Sequence, residues 1–403
     1  MRKISFRFFF VWLLGISLLF LSGCWSRREI EDLGITVGLA LDKGDVTQVE
    51  QKLKEHGGGY PKKDKITVTY QVVNPQAAGG EGKGGASQQR PYTNISETGD
   101  SMLQNTREIS LRRDRPITGG HFKIIVIGED LARTISMQQY LDFFIRDNEF
   151  RPSALVFISK GLASKTLELE DPSQIPSFNL LGITDNENRT NRLLPPMPLM
   201  KLIGKMHSKS SFLLQNVISA DKETKFAGAG VILGKSNKLV GFLNEVELEG
   251  LVWITGKGKG GMVKCFDKET GKLLVYEISS MKSKIEPHVI GDNIFFEVKI
   301  ESKGILSEHW MMKEKAFENE FLKRVEKVTE TEVKRLVQET LVKIQKNYQA
   351  DVAGFGDQLR IKYPKVWDKV KKDWDTTFSK VPVKFSVDVT IKEYGTTGSE
   401  KTK

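Results

Sequence analysis

The sequence predicts an α+β fold, an elongated protein of three mixed α/β domains, the last a β-sheet packed by a long amphipathic helix. Three observations carry that prediction. Short alternating or β-branched runs recur between residues 34 and 302, with helical patterns interspersed. Residues 313–348 read as one charged helix with a single apolar stripe. Residues 171–200 are rich in Pro, Asn and Asp, with Pro195, Pro196 and Pro198 close together, and mark a boundary. The expected division is a leader at 1–23, an N-terminal α+β domain at 24–195, a middle domain at 196–285, a C-terminal domain at 286–394, and a disordered tail at 395–403.

In chain order, 34–43 (GITVGLALDK) and 65–74 (KITVTYQVVN) read as strands. The stretch AGGEGKGGAS at 78–87 should be a flexible surface loop. A helix is expected over 97–112, capped by Ser96, with Met102, Thr106 and Ile109 on one face. The continuous apolar run FKIIVI at 122–127 predicts a buried strand. Helical spacing of Ile135, Tyr140, Phe143 and Phe144 follows over 134–146, then a strand at 154–159. Past the proline-rich boundary come strands at 212–219, 226–234 and 238–242, with a turn at Ser236-Asn237 and a short helix near 244–253. After the loop GKGKGG at 256–261, strands are expected at 262–267, 272–280, 283–289 and 293–302. The long helix then places Phe317, Phe321, Val325, Val328, Leu336, Leu341, Ile344 and Tyr348 on its buried stripe. A final alternating strand spans 382–394.

The amino terminus carries the most specific chemistry. Arg2, Lys3 and Arg7 form a positive n-region, and Phe8–Leu21 is uncharged and apolar. The tetrad Leu21-Ser22-Gly23-Cys24 closes it as a lipoprotein processing site, with small residues before a cysteine nucleophile. The implied mature chain begins at Cys24 and is held on the outer leaflet of the cytoplasmic membrane by a diacylglyceryl thioether. An uncleaved anchor is the alternative, since Phe8–Trp25 just reaches spanning length.

Composition narrows the function. The formal net charge is +10; the leader holds three positive and no negative residues, so its removal leaves +7. That excess is scattered, as on an ordinary solvated surface, and nucleic acid is not an expected partner. With Cys24 lipidated, Cys265 has no intramolecular partner and is expected to pack as a small apolar strand residue, a reactive thiol being the alternative. The run Gly228–Ser236 resembles a phosphate-binding loop but places Ala229 where a glycine is required, and a strand follows it. The histidines, His56, His121, His207, His288 and His309, form no zinc pattern, and His121 is expected to be structural. Glu29/Asp32 suggest a solvated helical turn. No catalytic constellation emerges, and no metal or cofactor is expected. In 354–378 (GFGDQLRIKYPKVWDKVKKDWDTTF), Tyr363, Val366 or Trp367, Val370, Trp374 and Phe378 line one face. That face is expected to cover the C-terminal sheet, with membrane or partner docking as the alternative.

Four stretches in order carry a resemblance. They are Cys24-Trp-Ser-Arg-Arg-Glu-Ile-Glu-Asp-Leu33 leading into GITVGLALDK, Gly120–Ala132, Phe226–Gly256, and the Pro/Trp/Trp/Phe segment with the last strand. Together they are similar to the C subunits of spore germinant receptors, lipoproteins of endospore-forming bacteria, over nearly the whole mature chain. The resemblance implies a non-enzymatic protein of three α+β domains, lipidated at Cys24 and held to the outer face of the spore inner membrane by membrane lipid. It also implies partners, a large A subunit and a permease-like B subunit, in a complex that answers small nutrients and triggers ion and dipicolinate release. The loop at 78–87 departs from the family's shorter connections. The residues alone also allow a solute-binding lipoprotein that captures a nutrient between domains, or, from location only, a cell-wall hydrolase.

Overall fold

The computed structural model describes residues 12, 33–46, 48–53, 62–74, 90–147, 149–311 and 318–393. Cys24, the stretch 78–87, Phe317, the tail 395–403 and the leader apart from Trp12 lie outside these residues. Among the described residues, no helix is long and apolar enough to cross a membrane.

Two mixed sheets organise the chain. The first contains β1 (Gly34–Lys43), β2 (Ile66–Val73), β3 (Tyr92–Gly99), β4 (Ile117–Thr118), β5 (Ile124–Gly128), β6 (Leu155–Ser159), β7 (Phe212–Ala220), β8 (Glu223–Leu233) and β9 (Lys238–Leu243). Their order is β3-β2-β1-β5-β6-β7-β8-β9, with β4 paired beside the start of β1. The central pairs β1–β5, β5–β6 and β6–β7 are parallel, and antiparallel hairpins close both edges. Every residue of β5 and β6 is buried because helices cover both faces, which is why those strands read as unbroken apolar runs.

Six helices accompany this sheet, α1 (Gln48–Leu53), α2 (Met102–Ile109), α3 (Glu129–Thr134), α4 (Met137–Arg146), α5 (Pro176–Thr184) and α6 (Leu199–Ser208), with α2, α3, α4 and α6 over one face. Side chains of α2, α4 and α6, among them Ile109, Tyr140, Phe144 and Leu202, pack on Leu39, Leu41, Ile125 and Ile127. The opposite face is covered by Leu180 of α5 and by Ala163 and Leu167, which meet Ala40, Ile124, Val126 and Phe157.

The helix expected over 97–112 is shorter, because Ser96–Gly99 belong to β3. Ser96 Oγ pairs across the sheet with Thr69 Oγ1 at 2.8 Å, and Thr98 Oγ1 with Thr67 Oγ1 at 2.9 Å. These cross-strand hydroxyl pairs outcompete the helical cap at Ser96. Ser101 caps α2 instead, accepting from the Gln104 amide at 3.3 Å. The helix expected at 134–146 starts later, at Met137, because Ile135 turns extended at φ −114° and ψ 137° and ends α3 at Thr134.

The second sheet runs β10 (Met262–Phe266), β11 (Leu273–Ile290), β12 (Asn293–His309) and β13 (Val383–Glu393), in that order, with β12–β13 parallel. The separate strands expected at 272–280 and 283–289 are one strand interrupted by a bulge between Ile278 and Ser280. The bulge moves the inward set from Leu274, Tyr276 and Ile278 to Met281, and the broken alternation reads as two strands. Pro287 sits where β11 extends past β10 and has a strand on one side only, with Lys282 and Lys284 exposed nearby.

Between the sheets lies α7 (Glu245–Thr255), opened by a capping box in which Asn244 accepts from the Glu247 amide and Glu247 from the Asn244 amide, both at 2.8 Å. Leu248, Leu251, Val252, Trp253 and Ile254 are all buried, so this helix has no solvent stripe. One continuous core joins Val231 and Leu243 of the first sheet to α7 and to Val263, Tyr276 and Phe296 of the second. The long α8 (Asn319–Val342), with a π-helical turn at Lys343–Asn347, seals that core through Phe321, Val325, Leu336, Leu341 and Ile344. Three short helices follow, α9 (Phe355–Lys362), α10 (Pro364–Val370) and α11 (Trp374–Phe378). Trp374 and Phe378 are buried beside Phe296 and Phe355, so the aromatic stripe covers the C-terminal sheet. The boundary expected at 195/196 falls between β6 and β7, which pair in one sheet, and that at 285/286 falls inside β11. The sheets change over near residues 244–261 instead, because α7 rather than the proline-rich stretch carries the chain between them.

Helices α7 and α8 cross at Gly250, where an added Cβ would sit 2.2 Å from Thr340 Oγ1 and 2.3 Å from the Leu336 carbonyl oxygen. Gly250→Ala is expected to destabilise the protein by about 2–3 kcal/mol through this overpacking. Gly204→Ala, in α6 with open space around its Cβ, is expected to be neutral or to stabilise by up to about 1 kcal/mol. Urea titrations of the two variants check both signs.

Candidate functional site

Buried acids are the usual start of an active site, and here they hold backbone amides and neighbouring side chains. The Asp42 carboxylate accepts from the amides of Ala163 and Ser164 at 2.6 and 2.9 Å; burial raises its pKa while those amides pull it down. Asp351, fully enclosed, accepts from Gly354, Phe355 and Gly356 amides and from Trp374 Nε1 at 2.6–3.1 Å. Its pKa too is raised by burial, against those four donors. Glu249 on α7 accepts from Asn191 Nδ2 and Arg192 Nε at 3.0 and 3.3 Å, and burial raises its pKa. Asp267 takes the guanidinium of Arg324 on both oxygens and the amide of Thr270 at 2.8 Å. Arg324 chiefly holds it well below the usual carboxylate range.

The residues singled out from the sequence take bland positions. Cys265 is buried in β10, its Sγ 3.8 Å from Thr329 Oγ1, and burial pushes its thiol up to about 11, away from reactivity. His121 is half-buried in the turn before β5. In the run 228–236, Gly228 has φ +75° and lets the Leu243 carbonyl approach to where a Cβ would be 2.0 Å away; strand β9, not a helix, follows. Cys24, Glu29 and Asp32 lie outside the described residues. Glu286, His288 and Glu297 bring three ligand atoms within 4.8 Å of one another on the β11–β12 hairpin. Lys284 and Lys299 already pair with Glu286 and lower its pKa to about 2, so a cation there would have to displace two ammonium groups.

The feature the sequence did not disclose is a cavity of about 260 Å³ at the end of the first sheet where the chain enters it. Leu33, Val72, Val73, Ile95 and Ile117 form its apolar wall. Pairing of Gly34 with Ile117 and of Val72 with Thr93 brings these distant segments together. Asn74, Thr93, Arg113, Asp114 and Arg115 supply its polar side. Arg112 is committed elsewhere, to Glu97 at 2.7 Å and the Ser96 carbonyl at 3.0 Å. Arg113 and Arg115, exposed and half-buried respectively, have no hydrogen-bond or ion-pair partner among the described residues. The only sequence signal is the basic run Arg112-Arg113-Asp114-Arg115, which does not say which arginines are committed.

Comparison with known proteins assigns both parts of this two-sheet body to one class, spore germination proteins. Residues 26–218 match the model of a spore germination protein N-terminal domain, and residues 227–395 that of the spore germination B3/GerAC-like C-terminal domain. The chain belongs to this GerAC-like family, the C subunits of spore germinant receptors. It is 52% identical over 379 residues to spore germination protein YndF of Bacillus subtilis (strain 168), covering 93% of this chain and 94% of that one. It is 31% identical to spore germination protein B3 of the same organism, covering 94% and 96%. The crystal structure of the GerBC protein shares the fold, with a TM-score of 0.60 at 27% identity, covering 90% of this chain and 99% of that one.

The lowered pKa of Asp267 sets an acid dependence. Its contribution is complete above the ordinary aspartate value of 3.8 and is lost as pH falls through the depressed one. Asp267→Asn is expected to lower the urea midpoint at pH 7 and to flatten the further decline between about pH 4 and 2 relative to wild type. Denaturation series at stepped pH measure both, and parallel acid limbs would contradict the role given to Arg324.

Proposed function

We propose that the protein is a lipid-anchored, non-enzymatic subunit of a nutrient germinant receptor, held to the outer face of the spore inner membrane through Cys24 and working with the A and B subunits. The observation that carries this reading is the family match over both halves of the chain, which starts at residue 26, two residues past the processing site Leu21-Ser22-Gly23-Cys24. The relatives named as spore germination proteins support the process. The structural use made of Asp42, Asp267 and Asp351 supports a scaffolding body.

Membrane attachment follows from lipid arithmetic. Two acyl chains at about 0.8 kcal/mol per buried CH2 give a stable anchor, where a single chain would exchange. Eight residues lie between Cys24 and Leu33, the first described residue of the body, nine Cα–Cα steps in all. Fully extended, they reach about 30 Å. The end of the first sheet where the chain enters is therefore kept near the bilayer surface.

Cys24→Ala is expected to abolish nutrient-triggered germination and to release the protein from spore membranes. Mass spectrometry of the native protein should find a diacylglyceryl group on Cys24. Wild-type germination in the mutant would refute the anchoring role. Co-purification of A and B subunits with the lipidated protein from spore membranes tests the complex, and their absence would refute it.

A further inference from the structure

We propose that the cavity beside Leu33 binds the headgroup of an anionic membrane phospholipid, its phosphodiester bridged by the guanidinium groups of Arg113 and Arg115. The proposal rests on the tether at Cys24 for the location of the ligand, and on the cavity itself for its chemistry.

Three features point to this occupant. First, Arg113 and Arg115 both line the cavity and neither has a partner among the described residues. A guanidinium presents its N–H donors in a planar fork that matches phosphate oxygens. Second, the lining also includes the apolar Val73, Ile95 and Ile117, with Ile95 and Ile117 buried. A free inorganic anion has no use for such a lining, whereas the glycerol and first methylenes of a lipid do. Third, Asp114 lies between the two arginines and leaves the charged lining at a net +1. That balance suits a singly charged phosphodiester over a more highly charged free phosphate. The volume of about 260 Å³ accommodates a headgroup but not an acyl chain. The short link to Cys24 keeps the opening near a surface where anionic lipid is abundant, which raises its effective concentration.

The test uses the full-length lipidated protein in a neutral maltoside detergent. Calorimetric titration with dihexanoylphosphatidylglycerol, below its micelle-forming concentration, is compared with dihexanoylphosphatidylcholine and with inorganic phosphate. The expected result is tighter binding of the phosphatidylglycerol than of either comparison ligand. Arg113→Gln/Arg115→Gln should weaken it by roughly ten-fold or more, with an unchanged circular dichroism melt. Arg113→Lys/Arg115→Lys should retain part of the affinity, since charge survives while the fork is lost. Should the glutamine variant fold poorly, Thr93→Trp obstructs the same cavity from the β3 side and should abolish binding. Phosphatidylglycerol binding untouched by all these variants would overturn the proposal. Equal binding of inorganic phosphate would overturn it too, by making the cavity a site for small anions. Lipidated protein that takes up no phosphatidylglycerol would sink the site and leave the Cys24 anchor standing, whereas an unmodified Cys24 in the same preparation would remove the anchor alone.

Discussion

The structure depends on burying helix α7 on every side from Leu248 to Ile254. A helix with no polar stripe cannot face water, so both sheets and α8 must close around it, and they do so at one crossing with α8. Thr340 Oγ1 donates to the Glu247 carbonyl at 2.9 Å, and Lys343 pairs with the Glu247 carboxylate at 3.2 Å. Tyr348, just past the π-helical turn, donates to the Phe242 carbonyl of β9 at 2.7 Å. At the far end of the same interface, Ser211 at the entry to β7 donates to Asp375 at 2.9 Å. Asp375 in turn accepts from the amide of Asp351, the residue that organises the turn into α9. The first sheet is thus bonded to the helical layer of the second at several points, and the helices between them complete both cores at once.

Much of this was legible in the residues. The unbroken apolar run in β5 announced a buried strand, and the stripe on α8 and the aromatic face ending in Trp374 and Phe378 announced their own burial. What was not legible had physical causes. Ser96 carries the chemistry of a helix cap and of a cross-strand partner equally well, and only Thr69 opposite it decides. The bulge before Ser280 shifts the phase of a strand in a way no local window separates from a turn. The prolines at 195–198 interrupt the chain without interrupting the sheet, because β7 returns to lie beside β6. The cavity could not be read at all, since its walls come from segments that meet only through strand pairing, and the arginines there differ from Arg112 only in lacking a neighbour such as Glu97.

The chemistry sits where the body has least to do with its own stability. Asp42, Asp267 and Asp351, all shielded from solvent, spend their charge on backbone amides and on Arg324. Arg113 and Arg115, at the entry of the chain, spend theirs on nothing within the described residues. A body stabilised from within fits a part whose work is to be positioned, and the family match places it among the spore germination proteins.

The outer reach of β11 has a bearing on crowding. From Lys284 to Ile290 this strand has a neighbour on one side only. Bare strand margins invite copies of a protein to stitch together through their main chains, and crowding multiplies the encounters. Pro287 removes an amide donor from that margin, and Lys284 places a charge beside it. Copies held at high local density are thereby kept from fusing into a continuous ribbon.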